Sequence, residues 1–211
     1  MPITYPNESD AYRVARNRLL AAELALRQKV ADVAAERRAL PDGGPVTGSY
    51  QFTDMDNAPH PMTALFGRHD TLAIYSLMYG GDDPCPMCCA MLDGLNGQAA
   101  HIVQSIALAV VARADPGPLK QLAATRSWTA LSLYSTQDEY QRDYHAEAAD
   151  GTQLPILNVF RRDGSAVTHF WGSEGFFADV DGHPRHVDQI WPVWNMLDLT
   201  PSGRGDWMPS L

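Results

Sequence analysis

The chain has 211 residues, 45% of them hydrophobic and 19% charged, with a formal net charge of −9, which is the make-up of a folded domain with a buried core and excludes a disordered chain. So acidic a balance lacks the concentrated basic surface that displaces counterions from nucleic acid, and there is no polybasic stretch for an anionic membrane. No apolar run reaches the ~18 residues of a membrane span, and Met1-Pro2-Ile3-Thr4-Tyr5 leads into Arg- and Glu-containing sequence without the apolar stretch of a secretory signal.

Taken in chain order, Ser9 to Ala39 reads as one long helix. Ser9 or Asp10 caps it, Ala, Leu, Glu and Arg dominate it, and Pro41 stops it. Leu19, Leu20, Leu24, Val30 and Val33 give it a partial apolar stripe. The stripe suits either an arm lying on its own domain or a homodimer contact, and the sequence does not choose between them. Asp42-Gly43-Gly44-Pro45 is a break. Tyr50 to Asp54 alternates as a short strand does, and Asn57-Ala58-Pro59-His60-Pro61 reads as a loop. Thr71 to Tyr79 is a nearly continuous apolar run of strand length, as expected for a strand buried on both faces of a parallel sheet. It ends in Gly80-Gly81-Asp82-Asp83-Pro84.

Residues 85 to about 103 read as a helix, Ile106 to Ala112 as a second buried strand, Pro118 to Ser127 as a helix and Leu131 to Ser135 as a third strand. Gln137 to Ala148 reads as a helix with Tyr140 and Tyr144 one turn apart. Leu157–Arg161 and Val167–Trp171 flank Arg162-Asp163-Gly164-Ser165, a strong hairpin signal. A last helix lies within Val187 to Leu197, started or kinked by Pro192. Strands alternating with helices and closed by an antiparallel hairpin predict an α/β fold. The order is that of a thioredoxin-like mixed sheet flanked by helices. An N-terminal helical extension (1–41) precedes the thioredoxin-like domain (42–211).

The chemistry is expected at Cys85-Pro86-Met87-Cys88. All three cysteines fall between Cys85 and Cys89 instead of being spread as staples, which fits a reducing, cytoplasmic compartment and a reactive role. The motif follows a buried strand and a turn and opens a helix. Pro86 suits the first helical position, so Cys85 becomes the N-cap. Unpaired first-turn amides and the helix dipole then favour its thiolate. Cys85 is thereby the nucleophile and Cys88, one turn on, the resolving thiol. Asp82 and Asp83 are expected to point to water, away from the thiolate. The alternative is a buried pair of small apolar residues. Cys89, rotated about 100° from Cys88, is expected to face the core. Cys85, Cys88 and Cys89 with His101 form a weaker candidate metal set, because structural zinc sites normally use a second, separated pair of ligands. No metal and no cofactor is expected, since no phosphate loop or Gly-x-Gly-x-x-Gly element appears. His145, His169, His183 and His186 lie late in the chain with Glu147 and Glu174 in no helical zinc spacing. Trp171, Trp191 and Trp194 are expected under the sheet, and Trp171 with Gly172-Ser173-Glu174 is a candidate pocket border.

Pro155, between the 137–148 helix and the hairpin, stands where thioredoxin folds carry a cis proline facing the dithiol. Leu154 and Pro155 are therefore the candidate substrate-binding residues: a cis Leu154–Pro155 bond is expected, with the Leu154 backbone pairing with a bound chain.

The sequence resembles a thioredoxin-like family catalogued as domain of unknown function 899, described as predicted dithiol-disulfide oxidoreductases. The resemblance runs through AERRALP at 35–41, HDTLAIYSLMYG at 69–80, CPMCCAMLDGLNG at 85–97, RDYHAE at 142–147, HFWGSE at 169–174, PRHVDQIWPVWN at 184–195 and DLTPSGRG at 198–205. It implies a thioredoxin fold with peroxiredoxin-like decoration and matches Cys85 and Cys88 to the dithiol. Pro84 precedes Cys85 where thioredoxin has Trp, and Pro-Met replaces its Gly-Pro, so neither potential nor direction of electron flow carries over. The expected partner is a disulfide-containing protein or a small-molecule thiol or disulfide. A thiol peroxidase is the related alternative, disfavoured because the Pro-x-x-x-Thr/Ser-x-x-Cys spacing is absent. A non-enzymatic binding or metal-binding module is the other.

Overall fold

Seven strands form the central sheet, and the apolar run after Asp70 is its middle. In the computed structural model, which describes residues 3–80, 83–137, 139–179 and 190–210, that run is strand β3 (Thr71–Leu77), following β1 (Gln51–Asp54) and β2 (Pro59–Pro61). The remaining strands of the sheet are β6 (Ala107–Ala112), β7 (Ser132–Ser135), β8 (Ile156–Asp163) and β9 (Ala166–Gly172). Their order across the sheet is β2-β1-β7-β6-β3-β8-β9. β3, β6 and β7 run parallel, and antiparallel pairs flank them on both sides. A small ribbon, β4 (Tyr79–Gly80) with β5 (Asp83–Pro84), leads from β3 into the cysteines. This is the thioredoxin-like mixed sheet, with helices α2 (Met62–Leu65), α3 (Pro86–Ile102), α4 (Pro116–Arg126), α5 (Tyr140–Asp143) and α6 (Val193–Asp198) around it.

The period of two along β3 divides the core. Ala73, Tyr75 and Leu77 face one side, where α3 contributes Cys88, Cys89, Met91, Leu92, Leu95 and Ala99, and α4 contributes Leu119. Trp191 and Trp194, 4.8 Å apart, are fully buried in the same cluster, as their apolar bulk predicts, whereas Trp171 on β9 is half-buried. Leu72 and Ile74 face the other side with Phe52, Phe66, Tyr140 and Phe160. There Tyr140, Tyr144, Phe160 and Tyr50 pack edge to face or tilted.

Three expectations are corrected. The 137–148 helix shrinks to the single turn of α5. His145 takes a left-handed φ of 57°, and the amides of Ala146 and Glu147 both donate to the Gln141 carbonyl. Glu147, buried, then pairs with Arg113 and bridges to Gln153. Burying that carboxylate beside its guanidinium is incompatible with carrying the helix on. Second, Pro59–Pro61, expected as a loop, is an edge strand. Prolines are tolerated there because an outer strand has amides the ladder does not use. Third, the α4 helix begins at Pro116, with Asp115 as its N-cap, two residues ahead of the expected start.

On the far edge, Gly43 to Val46 runs along β9. The Val46 amide donates to the Val167 carbonyl, and the His169 amide to the Gly44 carbonyl. A Cβ on Gly43 would fall 1.9 Å from the His169 carbonyl oxygen, so only glycine allows this approach.

The chain separates into two units, the first ending at Pro41 and the second starting at Asp42. In the first, α1 (Asp10–Arg38) is capped as expected, the Ser9 hydroxyl accepting from the Tyr12 amide at 3.1 Å. Arg37 and Arg38 complement the dipole in its last turn. Leu19, Leu20, Leu24 and Val30 are exposed on it. Among the described residues no helix is long and apolar enough to cross a membrane.

Candidate active site

Local sequence places Cys85 at the mouth of α3. Pro86 occupies the first helical position and Cys85 is the N-cap, with φ −63° and ψ 123°. The β4–β5 ribbon holds it there: the Cys85 amide donates to the Met78 carbonyl at 3.0 Å, and the Cys85 carbonyl accepts from the Cys89 amide at 3.0 Å. All three cysteines are free thiols. Cys85 is half-buried, while Cys88 and Cys89 are buried at 1% and 0% exposure.

The neighbouring Cys88 thiol, placed to stabilise a negative sulfur, is the main reason that the Cys85 pKa falls from near 9 to about 6. The amides of Cys88 and Met87 add to it, and partial burial works against it. Cys88 is pushed strongly upward: it gives its hydrogen bond to Cys85, it is buried, and it lies beside a developing negative charge. The pair thus separates into one thiolate and one thiol. Below them, the buried Tyr75 hydroxyl lies against the Cys88 sulfur, in a geometry too poor for a full hydrogen bond. Cys89 is raised to about 11, chiefly by burial, as befits a residue facing the core.

The ionisation has a measurable pH signature. Alkylation of Cys85 by iodoacetamide is expected to reach half its maximal rate at a pH of about 6, where an unperturbed thiol needs a pH of about 8.5. Since the folded pKa lies below the unfolded one, this thiolate stabilises the reduced protein fully above about pH 8.5 and the contribution is lost as pH falls through about 6. A rate profile by mass spectrometry that stays flat until pH 8 contradicts the assignment.

Pro155 lies on the same side of the sheet as the dithiol and shares a cavity with it. The cavity has a volume of about 430 Å³, and its other walls include Met78, Met87, Met91 and Phe176. The Leu154–Pro155 bond is trans, however, correcting the cis expectation. Trans is the ordinary state of such a bond, and the segment is fixed by other means. The Gln153 side-chain amide accepts from the Tyr79 amide at 2.8 Å and donates to the Tyr79 carbonyl at 2.7 Å. Leu154 gives its amide to the Ala146 carbonyl at 2.8 Å and is not among the cavity's walls. Its N–H is therefore already committed within the chain, against the expectation that it would pair with a bound chain.

The other sequence candidates disperse. His101 lies exposed in the last turn of α3, the opposite end from Cys85. Among the described residues no three of His, Cys, Asp or Glu come together in a metal-holding arrangement. Asp83 is exposed; Asp82, His183 and His186 lie outside the described residues. His145 and His169 border a second cavity of about 480 Å³ with Asn158, Gly172 and Glu174, His169 bonding to the Asn158 amide oxygen at 2.9 Å. Of the Trp171-Gly172-Ser173-Glu174 border expected from sequence, Gly172 and Glu174 line this pocket and Trp171 and Ser173 do not. Tyr75 and the methionines were missed by sequence reasoning. Met87 and Met91, one turn apart on α3, are the signal that was available.

No curated protein sequence matches the chain. Among solved structures it is similar to a secreted Mycobacterium tuberculosis disulfide oxidoreductase homologous to E. coli DsbE, at 16% identity over 68% of this chain and 95% of that one, with a TM-score of 0.41. It is similar also to peroxidoxin BcpB from M. tuberculosis, at 12% identity over 72% and 95% with a TM-score of 0.49. A mutant of Xanthomonas campestris peroxiredoxin Q aligns at 15% identity over 73% and 96%, with a TM-score of 0.49. The family model described as bacterial protein of unknown function (DUF899) matches residues 2–210, nearly the entire chain, and the protein belongs to that family.

Proposed function

We propose that the protein is a dithiol-disulfide oxidoreductase in which Cys85 is the nucleophile and Cys88 the resolving thiol. The observation that carries this is the asymmetry of the pair: Cys85 stands half-buried at the N-cap of α3, its thiol driven toward the anion by the adjacent Cys88 and the first turn of the helix, whereas Cys88 beside it is sealed from solvent. The Cys85 thiolate attacks a disulfide sulfur, and the leaving thiolate takes up a proton. Cys88 then loses its proton and attacks Cys85, closing the internal disulfide and releasing the second thiol. Two electrons pass from the dithiol to the substrate.

The test is to treat reduced protein with excess hydroxyethyl disulfide and weigh it intact. Wild type is expected to end two hydrogens lighter and without adduct, whereas Cys88→Ser retains one mixed disulfide on Cys85. An adduct that persists on wild type, or none on the variant, overturns the assignment of roles.

A further inference from the structure

The cavity beside Cys85 has walls that say what kind of disulfide it admits. Four methionines enter it from three stretches of chain, Met78 after β3, Met87 and Met91 on α3 and Met208 near the C-terminus, and Phe176 and prolines including Pro155 share the walls with the two cysteines. Among the described residues that line it none carries a charge and none offers a hydroxyl or amide side chain. A disulfide bearing carboxylates or ammonium groups would lose hydration there without gaining a polar partner from the described walls. Hydrocarbon substituents, by contrast, gain burial, and thioether side chains adjust to varied apolar shapes. At about 430 Å³ the cavity falls in the range of small-ligand pockets, roughly 300–1,000 Å³.

A main-chain partner is disfavoured by a separate observation. The Leu154 amide, the donor that would pair with an extended peptide beside Pro155, is already given to Ala146. With that amide spoken for, recognition is carried chiefly by the substituents of the disulfide.

We infer that the substrate is a small, uncharged disulfide with hydrocarbon substituents, bound in the methionine-lined cavity with one sulfur against Cys85. This rests on the thiol-disulfide exchange proposed above. In the reaction, Cys85 displaces one alkyl thiolate to give a mixed disulfide, Cys88 displaces the other, and the substrate leaves as two alkyl thiols, each having gained one proton, while the protein becomes the Cys85–Cys88 disulfide.

The experiment uses the full-length, pre-reduced protein in single turnover, so that no external reductant enters. Dipropyl disulfide is compared with 3,3′-dithiodipropionate, the same skeleton carrying two carboxylates. Each rate is divided by that disulfide's rate with free 2-mercaptoethanol. Dipropyl disulfide is expected to be favoured about tenfold or more, of the order that pocket contacts impose on a discriminating site. Met208→Gln, at a half-exposed position where a polar side chain is tolerated in the fold, is expected to shrink that preference. A dianion as fast as the neutral disulfide, or a preference unmoved by Met208→Gln, overturns the substrate class while leaving the exchange intact. If neither disulfide oxidises the dithiol, the exchange chemistry itself falls.

Discussion

Cys85→Ser is expected to reduce disulfide exchange by about three orders of magnitude or more, the scale of loss seen when a covalent nucleophile is removed. The reason is specific to this site. Cys85 is the only one of the three cysteines that is not sealed from solvent, and the only one whose thiol is driven toward the anion. Neither remaining thiol can take its place: Cys88 lies under it at 1% exposure, and Cys89 points into the core at 0%. A serine hydroxyl in the same place is far from ionised at neutral pH. Stopped-flow oxidation of the reduced variant is the measurement. Cys89→Ala serves as the contrast and is expected to retain exchange, since a small apolar residue fills the same part of the core. Substantial turnover by Cys85→Ser, or its loss in Cys89→Ala while the fold is intact, reverses the assignment.

The largest expected effect on stability lies on the opposite face of the sheet. Phe160→Ala is expected to cost about 3–5 kcal/mol, the usual penalty for deleting a buried aromatic ring. Phe160 is fully buried, and its ring lies 4.8 Å from that of Tyr144, 5.3 Å from that of His169 and 6.4 Å from that of Tyr140. Those rings are held by strands and by the short α5 turn and cannot collapse into the space. Against a typical total of about 5–15 kcal/mol, this is a major fraction. Urea unfolding should show a lower midpoint at an unchanged slope. Because β3 and β8 separate this cluster from the thiols, alkylation of Cys85 in the folded fraction should keep its acid-shifted profile. A change below 1 kcal/mol would show that the aromatic cluster is loosely packed.

Much of this was legible where the deciding interactions are local. The hydrophobic runs at 71–77 and 107–112 are buried on both faces because parallel strands in the middle of a sheet have no solvent side, and the Asp-Gly turn fixed the β8–β9 hairpin. The position of Cys85 followed from Pro86, whose ring suits only the start of a helix. What was hidden depends on distant partners. The helix after Gln137 stops at Tyr144 because Glu147 pairs with Arg113, 34 positions earlier in the chain, and no window of sequence contains both. The Leu154–Pro155 bond was assigned by analogy of position, and the local anchor that matters, Gln153 on Tyr79, spans 74 positions. The methionine-lined cavity was invisible for the same reason: its methionines are scattered from 78 to 208, and of the four only Met87 and Met91 share an element.

The Gln153 side chain grips both the amide and the carbonyl of Tyr79, much as a neighbouring strand would, and so ties the ribbon that carries Cys85 to the stretch that presents Pro155. The two jaws of the cleft are consequently one mechanical piece. With the backbone on those two sides pinned, accommodation of a bound group falls to the methionine side chains around it.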